Sequence, residues 1–182
     1  MRVLAVVGSP RKRGNTDLLV DAFLEGAREA GAVVEKVYLT DLKIRGCDAC
    51  DVCRTSGECV IDDDMGPLYG KLLDSDVWLL GTPVYWWGPS SQTKAFIDRW
   101  YAFSDDERRR LKGKRAVLLS PFEDSDPGTP RHLVGMLAEA FNYLNMQFVG
   151  QVLVTAGALG EVARNQAALE EARTLGRKIA ST

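Results

Sequence analysis

The hydrophobic positions of this chain switch repeatedly between two periods. Short aliphatic and β-branched runs at Val3–Val7, Val33–Leu39, Val77–Leu80, Ala116–Leu119 and Phe148–Val154 read as strands. Between them apolar residues recur at i, i+3 and i+4, the spacing of a helix with one buried face. The first such segment covers Asn15 to Ala30 with Leu19, Ala22, Phe23 and Ala27 inward, and Gly31 stands where a left-handed residue ends a helix. A short helix through Leu72 and Leu73 follows Asp62-Asp63-Asp64, which read as capping and dipole partners and not as a metal site. Further helices are expected over Ser91–Phe103, Arg131–Leu144 and Val162–Ile179, the last with Ala168, Ala172, Leu175 and Ile179 on one stripe. Strands alternating with helices predict an α/β architecture, a parallel sheet covered on both faces. No repeat, linker or low-complexity tract interrupts it, so residues 1–182 read as a single domain.

One segment breaks the rhythm. Thr40 to Asp62 has little helical or strand pattern, and a loop longer than about 15 residues inside a compact domain is usually functional or disordered. All four cysteines lie in it, as Cys47-x2-Cys50-x2-Cys53-x5-Cys59. Structural zinc sites of four cysteines usually present two separate C-x-x-C pairs. Three thiols at a repeat of three with a fourth close behind suit a [4Fe–4S] cubane. The x5 gap and Val60 after Cys59 differ from the ferredoxin run that serves two clusters, so one cluster is the natural reading. Zinc, and redox thiols without metal, remain open alternatives. The loop leaves the second strand at its C-terminal end, the edge where α/β sheets bind ligands.

Two other loops leave strands at that edge. The first strand runs into Gly8-Ser9-Pro10-Arg11-Lys12-Arg13-Gly14-Asn15-Thr16 and then a helix, an arrangement in which free amides and the helix dipole form an anion cradle. Five residues separate Gly8 from Gly14, and Asn15 follows instead of a P-loop lysine. There is no G-x-G-x-x-G fingerprint either. A phosphate monoester held by Ser9, Arg11, Asn15 and Thr16 fits better, with simple helix capping by Asn15 and Thr16 as the alternative. After the third strand, Gly81-Thr82-Pro83-Val84-Tyr85-Trp86-Trp87-Gly88-Pro89 places three consecutive aromatics beside the same edge. They suit a flat apolar surface such as a flavin ring, edged by Pro83, Val84 and Tyr85 with Trp86 or Trp87 stacking, or else an interface patch. A third loop, Ser120 to Asp126, leaves the fourth strand on this side, and Ser120 is taken as a further cofactor-side residue.

Composition narrows the function class. The chain is 46% apolar, enough for a full core, and its net charge of -2 carries no nucleic-acid footprint. Basic residues cluster at Arg11-Lys12-Arg13 and at Arg108 to Arg115. The second run reads as a solvated turn before a strand, with a contact to the 2′-phosphate of NADPH as the alternative. The apolar start, Met1 to Gly8, is too short for a signal peptide, and no stretch approaches the roughly 20 apolar residues of a membrane span. A soluble cytoplasmic protein is expected, in which clustered cysteines serve as ligands or redox centres and not as disulfides. The single histidine, His132, opens a predicted helix and reads as a surface or capping residue, so no side-chain acid or base is assigned to catalysis.

Three motifs in order carry a resemblance. Gly8-Ser9-Pro10-Arg11 with Gly14-Asn15-Thr16, the cysteine run into Val60-Ile61-Asp62-Asp63-Asp64-Met65, and Thr82-Pro83-Val84-Tyr85 leading to Gln92-Thr93-Lys94-Ala95-Phe96-Ile97-Asp98-Arg99 resemble the NADPH-dependent FMN reductase family. Within it the chain is most similar to the iron–sulfur flavoproteins, over essentially its whole length. The resemblance implies a flavodoxin-like three-layer sandwich with a five-stranded parallel sheet in the order 2-1-3-4-5. It also implies non-covalent FMN, a [4Fe–4S] cluster on Cys47, Cys50, Cys53 and Cys59, and a homodimer or homotetramer. By similarity the phosphate contacts fall to Ser9, Arg11, Asn15 and Thr16 and the flavin contacts to Pro83, Val84, Tyr85 and Trp86. Trp86-Trp87 is bulkier than is usual in that loop, and Ser120 to Asp126 lacks the glycine-rich character of simple FMN reductases. The expected activity is an FMN-dependent oxidoreductase coupling flavin to cluster, with NAD(P)H as a transient co-substrate and ferredoxin or a small-molecule acceptor as partner. An NAD(P)H:FMN or quinone reductase without a cluster, and a non-enzymatic electron carrier, are the alternatives.

Overall fold

The computed structural model describes residues 1–182. Five strands, β1 (Arg2–Val7), β2 (Val33–Tyr38), β3 (Val77–Gly81), β4 (Arg115–Phe122) and β5 (Gln147–Thr155), pair in parallel in the order β2-β1-β3-β4-β5. This is the flavodoxin-like order. Seven α-helices accompany them: α1 (Asn15–Glu29), α2 (Val52–Ser56), α3 (Met65–Asp74), α4 (Ser91–Asp98), α5 (Asp105–Leu111), α6 (Arg131–Tyr143) and α7 (Gln166–Ala180).

The three layers follow from strand periodicity. Alternate residues of a strand point to opposite faces, so the central strands, covered on both sides, are apolar throughout. Val3, Ala5, Val7, Val77, Leu79, Val117 and Leu119 pack with the inner faces of α1 and α7. Leu4, Val6, Trp78, Leu80, Ala116 and Leu118 pack on the other side against Leu72 of α3, Phe96 of α4 and Phe141 of α6. α1 and α7 touch backbone to backbone. A Cβ on Gly26 would lie 1.9 Å from the Arg173 carbonyl oxygen, and one on Gly176 would lie 2.1 Å from that of Phe23. Only glycine permits that approach.

Several boundaries differ from the sequence expectation. The helix expected over Ser91–Phe103 is α for Asp98 and before, then tightens into a 3-10 turn over Arg99–Ala102. The helix expected from Val162 begins as a separate 3-10 turn, Glu161–Arg164, and α7 starts only after Asn165, whose Oδ1 accepts from the Ala168 amide at 3.1 Å. The basic run is not a solvated turn as a whole. Arg108 to Arg110 belong to α5, which is opened by a capping box: Ser104 Oγ accepts from the Glu107 amide, and Glu107 Oε2 accepts from the Ser104 amide at 2.8 Å. Arg108 and Arg109 then pair with Asp105 and Asp106 one turn back. No helix is long and apolar enough to cross a membrane.

Candidate functional site

Two concavities gather the candidate residues, one at the C-terminal ends of the strands and one between the cysteine loop and the end of α4. The first is a cleft lined by Ser9, Arg11, Asn15 and Thr16 from the β1–α1 turn and by Pro83, Val84 and Tyr85 after β3. Pro121, Phe122 and Glu123 of the β4 end and Ala156, Gly157 and Leu159 after β5 complete it. Seven of the nine residues assigned to a cofactor from sequence therefore meet in one place; Trp86 and Ser120 are not among the lining.

The β1–α1 turn is fixed from beneath. Gly8 donates its amide to the Gly81 carbonyl at 2.7 Å and accepts from Ser90 Oγ at 2.5 Å. A Cβ on Gly8 would lie 1.7 Å from Thr93 Oγ1, so the position requires glycine. Ser90, Thr93 and Thr82 form a buried hydroxyl network, with Thr93 Oγ1 donating to Thr82 Oγ1 at 3.1 Å and the Ser90 amide donating to the same atom at 3.1 Å. Ser120 joins this group. It is fully buried, and its hydroxyl donates to the Thr82 carbonyl at 2.7 Å, which places it behind the cleft wall. Thr82 and Thr93 belong to the motif after β3 that carries the resemblance, but nothing in its spacing announces that their hydroxyls meet that of Ser90 in a buried network.

Arg13 adopts a left-handed conformation (φ 58°), and its amide donates to Asp17 Oδ2 at 2.7 Å. Asp17 Oδ1 accepts from Lys36 Nζ at 3.0 Å and from Tyr38 Oη at 2.9 Å. Burial works to raise the Asp17 pKa, but the Arg13 amide, Lys36 and Tyr38 outweigh it and hold the carboxyl below its ordinary range. Asn15 is committed elsewhere: its Nδ2 donates to the Ala156 and Ala158 carbonyls at 3.3 and 2.8 Å, and its Oδ1 accepts from the Val162 amide at 3.1 Å. Its side chain thus clamps the β5–α7 loop to the turn. The N-cap of α1 is Gly14, so Asn15 and Thr16 do not cap the helix; they occupy its first two positions, where backbone amides lack intrahelical acceptors.

The aromatic loop is a tight hairpin. Tyr85 and Gly88 pair through two backbone hydrogen bonds of 2.8 and 3.0 Å, and Trp86 and Trp87 between them have φ of 49° and 60°. Turns of this kind favour Asn-Gly, because both central residues need positive φ. Two tryptophans there are strained, and Trp86 is 90% exposed.

The second concavity is lined by Cys47, Cys50, Cys53 and Cys59 together with Arg99, Tyr101 and Ala102. None of the cysteines is in a disulfide; Cys47 and Cys50 are exposed, and Cys53 and Cys59 are half-buried. Cys53 sits in α2, a helix the sequence pattern does not announce, entered through Asp51 and left through Gly57, both in left-handed conformation. Burial raises the Cys53 pKa, and the nearby Cys59, Cys50 and Cys47 sulfurs add to it. No three His, Cys, Asp or Glu side chains come together closely enough to hold a single metal ion.

The ends of the cysteine loop are stapled by the aspartates that sequence assigns to capping. Asp63 Oδ1 does accept from the Met65 amide at 3.0 Å at the start of α3, but Asp63 Oδ2 accepts from Arg99 Nη1 at 2.6 Å and from the Arg45 amide at 2.9 Å. Asp64 Oδ2 accepts from the Lys43 amide at 2.6 Å. Burial pushes the Asp63 pKa up, and Arg99 with the two amides more than reverses it, leaving it lowered. Arg99 Nη2 also donates to Cys59 Sγ at 3.3 Å. The helix that begins beside the cleft at Ser90 thus delivers Arg99 to the thiols, and nine residues at 1.5 Å rise put the two ends about 13 Å apart.

Residues 1–161 match the NADPH-dependent FMN reductase family. The chain belongs to that family. It is an FMN-dependent oxidoreductase, a flavoprotein on a flavodoxin-like fold. An iron-sulfur flavoprotein of Archaeoglobus fulgidus is 34% identical over 180 residues, spanning 99% of this chain and 79% of the relative. An iron-sulfur flavoprotein of Methanocaldococcus jannaschii is 32% identical over 188 residues, spanning 99% and 96% of the two chains. Among solved structures, an NAD(P)H:quinone oxidoreductase from Methanothermobacter marburgensis superposes with a TM-score of 0.81 at 18% identity, covering 98% of this FMN reductase family member and 96% of that chain. That likeness is one of fold.

Proposed function

We propose that the chain binds FMN in the cleft, phosphate on the Ser9–Thr16 turn and ring against Pro83, Val84 and Tyr85, and holds a [4Fe–4S] cluster on Cys47, Cys50, Cys53 and Cys59. The cleft fits FMN because backbone amides at the start of α1, the Ser9 hydroxyl and Arg11 line one end, while the other is walled by proline, valine and aromatic side chains. The observation that carries the second centre is the convergence of all four sulfurs on one cavity beside a buried arginine whose Nε has no acceptor. A cluster's sulfurs accept hydrogen bonds, as Cys59 Sγ already does from Arg99 Nη2. The names of the two archaeal relatives agree with this reading.

When bound, FMN would supply exchange of electron pairs with hydride donors and a cluster would supply single-electron exchange, so a chain holding both would connect two-electron and one-electron partners. The protein's part is to hold the phosphate, to shield the ring edge and to keep the cysteine loop closed through Asp63, Asp64 and Arg99. NAD(P)H is the proposed two-electron partner and a ferredoxin or small-molecule acceptor the one-electron partner, in a cytoplasmic homodimer or homotetramer. The exposed Trp86-Trp87 tip favours self-association.

Purified, FMN-loaded protein is expected to oxidise NADPH in steady state with a one-electron acceptor; no turnover with either nicotinamide points to a carrier. Cys50→Ala is expected to keep FMN and lose absorbance beyond the flavin bands. A variant whose spectrum and acceptor range match the parent supports the second reading, a cluster-free NAD(P)H:FMN or quinone reductase, which the exposure of Cys47 and Cys50 favours.

A further inference from the structure

The thiol cavity is closed by a residue that neither the phosphate loop nor the cysteine spacing requires. The Arg99 side chain is 1% exposed, and a buried guanidinium is costly unless its charge and its donors are met. An arginine serving only to staple the loop would set both terminal nitrogens on the carboxylate, the stronger and more specific geometry. Arg99 does not. Only Nη1 reaches Asp63, at 2.6 Å, sharing its protons with the Arg45 carbonyl at 3.0 Å. Nη2 turns to Cys59 Sγ at 3.3 Å and to the Ile61 carbonyl at 3.4 Å, and Nε has no acceptor. Among the four thiols, Cys59 alone is held by a side-chain donor; Cys47 accepts only the Ala49 amide, at 3.4 Å.

We infer that Arg99 is a positioning residue that raises the reduction potential of the cluster by donating to the Cys59 sulfur, an inference that rests on the cluster reading above. Hydrogen bonds to ligand sulfur and nearby positive charge are among the levers that set such potentials. Reduction adds one negative charge to the cluster. A fixed guanidinium in a poorly solvated cavity stabilises that added charge more than the oxidised form. Because Arg99 terminates α4, whose other end is tied to Gly8 through Ser90, its position is set by the same helix that supports the cleft.

The test is Arg99→Lys, which keeps a cation opposite Asp63 and replaces the two-nitrogen fork by a single nitrogen. Iron, sulfide and FMN are counted, then flavin and cluster potentials are measured by anaerobic titration with optical and electron paramagnetic resonance detection. Resonance Raman spectra of the parent in H2O and D2O report the N–H···S bond independently of how the variant folds. The expected result is a cluster potential displaced to more negative values with flavin potentials unmoved, and a deuterium shift of the Fe–S(Cys) bands in the parent that shrinks in the variant. A loaded variant with unchanged cluster potential and unchanged deuterium shift overturns the inference. If the variant cannot be loaded, Arg99→Gln takes its place in the same comparison, and a parent without any deuterium shift overturns the inference whatever the variant does. Parent protein free of iron and sulfide after anaerobic purification removes the cluster reading itself, and this role with it.

Discussion

Arg99 and Asp63 meet at 2.6 Å with both side chains buried, 36 positions apart in sequence, and their contact closes the cysteine loop against the end of α4. Removing one partner of a buried ion pair strands the other without compensation, which costs about 3–5 kcal/mol. Asp63→Ala is therefore expected to lower the unfolding free energy obtained from urea titration by that amount and to loosen the loop. Hydrogen exchange should speed up at residues 43–45 and 61–65 before it does in the sheet.

The same carboxyl sets a pH dependence. The Asp63 and Asp17 pKa values are held below their unfolded values, so each group contributes stability that is complete above about pH 4 and is lost as pH falls through the folded value. Stability measured by urea titration should decline steeply below pH 4. Asp63→Asn should flatten part of that decline while starting from a lower stability at pH 7.

Gly8 tests the floor of the cleft. With a Cβ 1.7 Å from Thr93 Oγ1, Gly8→Ala must displace either the turn or the start of α4. The expected outcome is loss of FMN on gel filtration from a protein that still shows the parent's far-ultraviolet circular dichroism.

Ser9 and Arg11 test the anion end. Hydrogen bonds to a charged partner contribute about 1.5–3 kcal/mol, so Arg11→Ala should weaken FMN binding by about 10- to 150-fold in a flavin-fluorescence titration. Riboflavin, lacking the phosphate, should bind parent and variant alike. Equal losses for both ligands would place the phosphate elsewhere.

The hairpin tip predicts a gain. Trp86 and Trp87 occupy left-handed positions that cost of order 1–3 kcal/mol each, and Asn-Gly is the favoured pair for such a turn. Replacing Trp86-Trp87 by Asn-Gly should raise the thermal midpoint of the monomeric unit while changing KM for the electron acceptor or the oligomer size seen by light scattering.

The sheet is legible in the chain because β1, β3 and β4 are buried on both faces and therefore read as unbroken apolar runs. The turn after β1 and the loop after β3 are legible because special chemistry sits where strands end. α5 escapes hydrophobic periodicity since its exposed Asp and Arg residues leave only Leu111 buried; its signal is the Ser104-x-x-Glu107 box. α2 escapes because no residue in it is buried at all. The second duty of Asn15, the withdrawal of Ser120 behind the wall, and the reach of Arg99 to Cys59 and Asp63 all depend on partners dozens of positions away. Local spacing carries no trace of such contacts.

The central claim is that one chain carries two redox centres, and counting them tests it most directly. Protein purified without exposure to oxygen and analysed for iron, acid-labile sulfide and FMN should contain about four, four and one per chain, the composition of one cubane and one flavin. Stoichiometric FMN with neither iron nor sulfide would contradict it, leaving a flavin reductase whose four gathered thiols serve some other end.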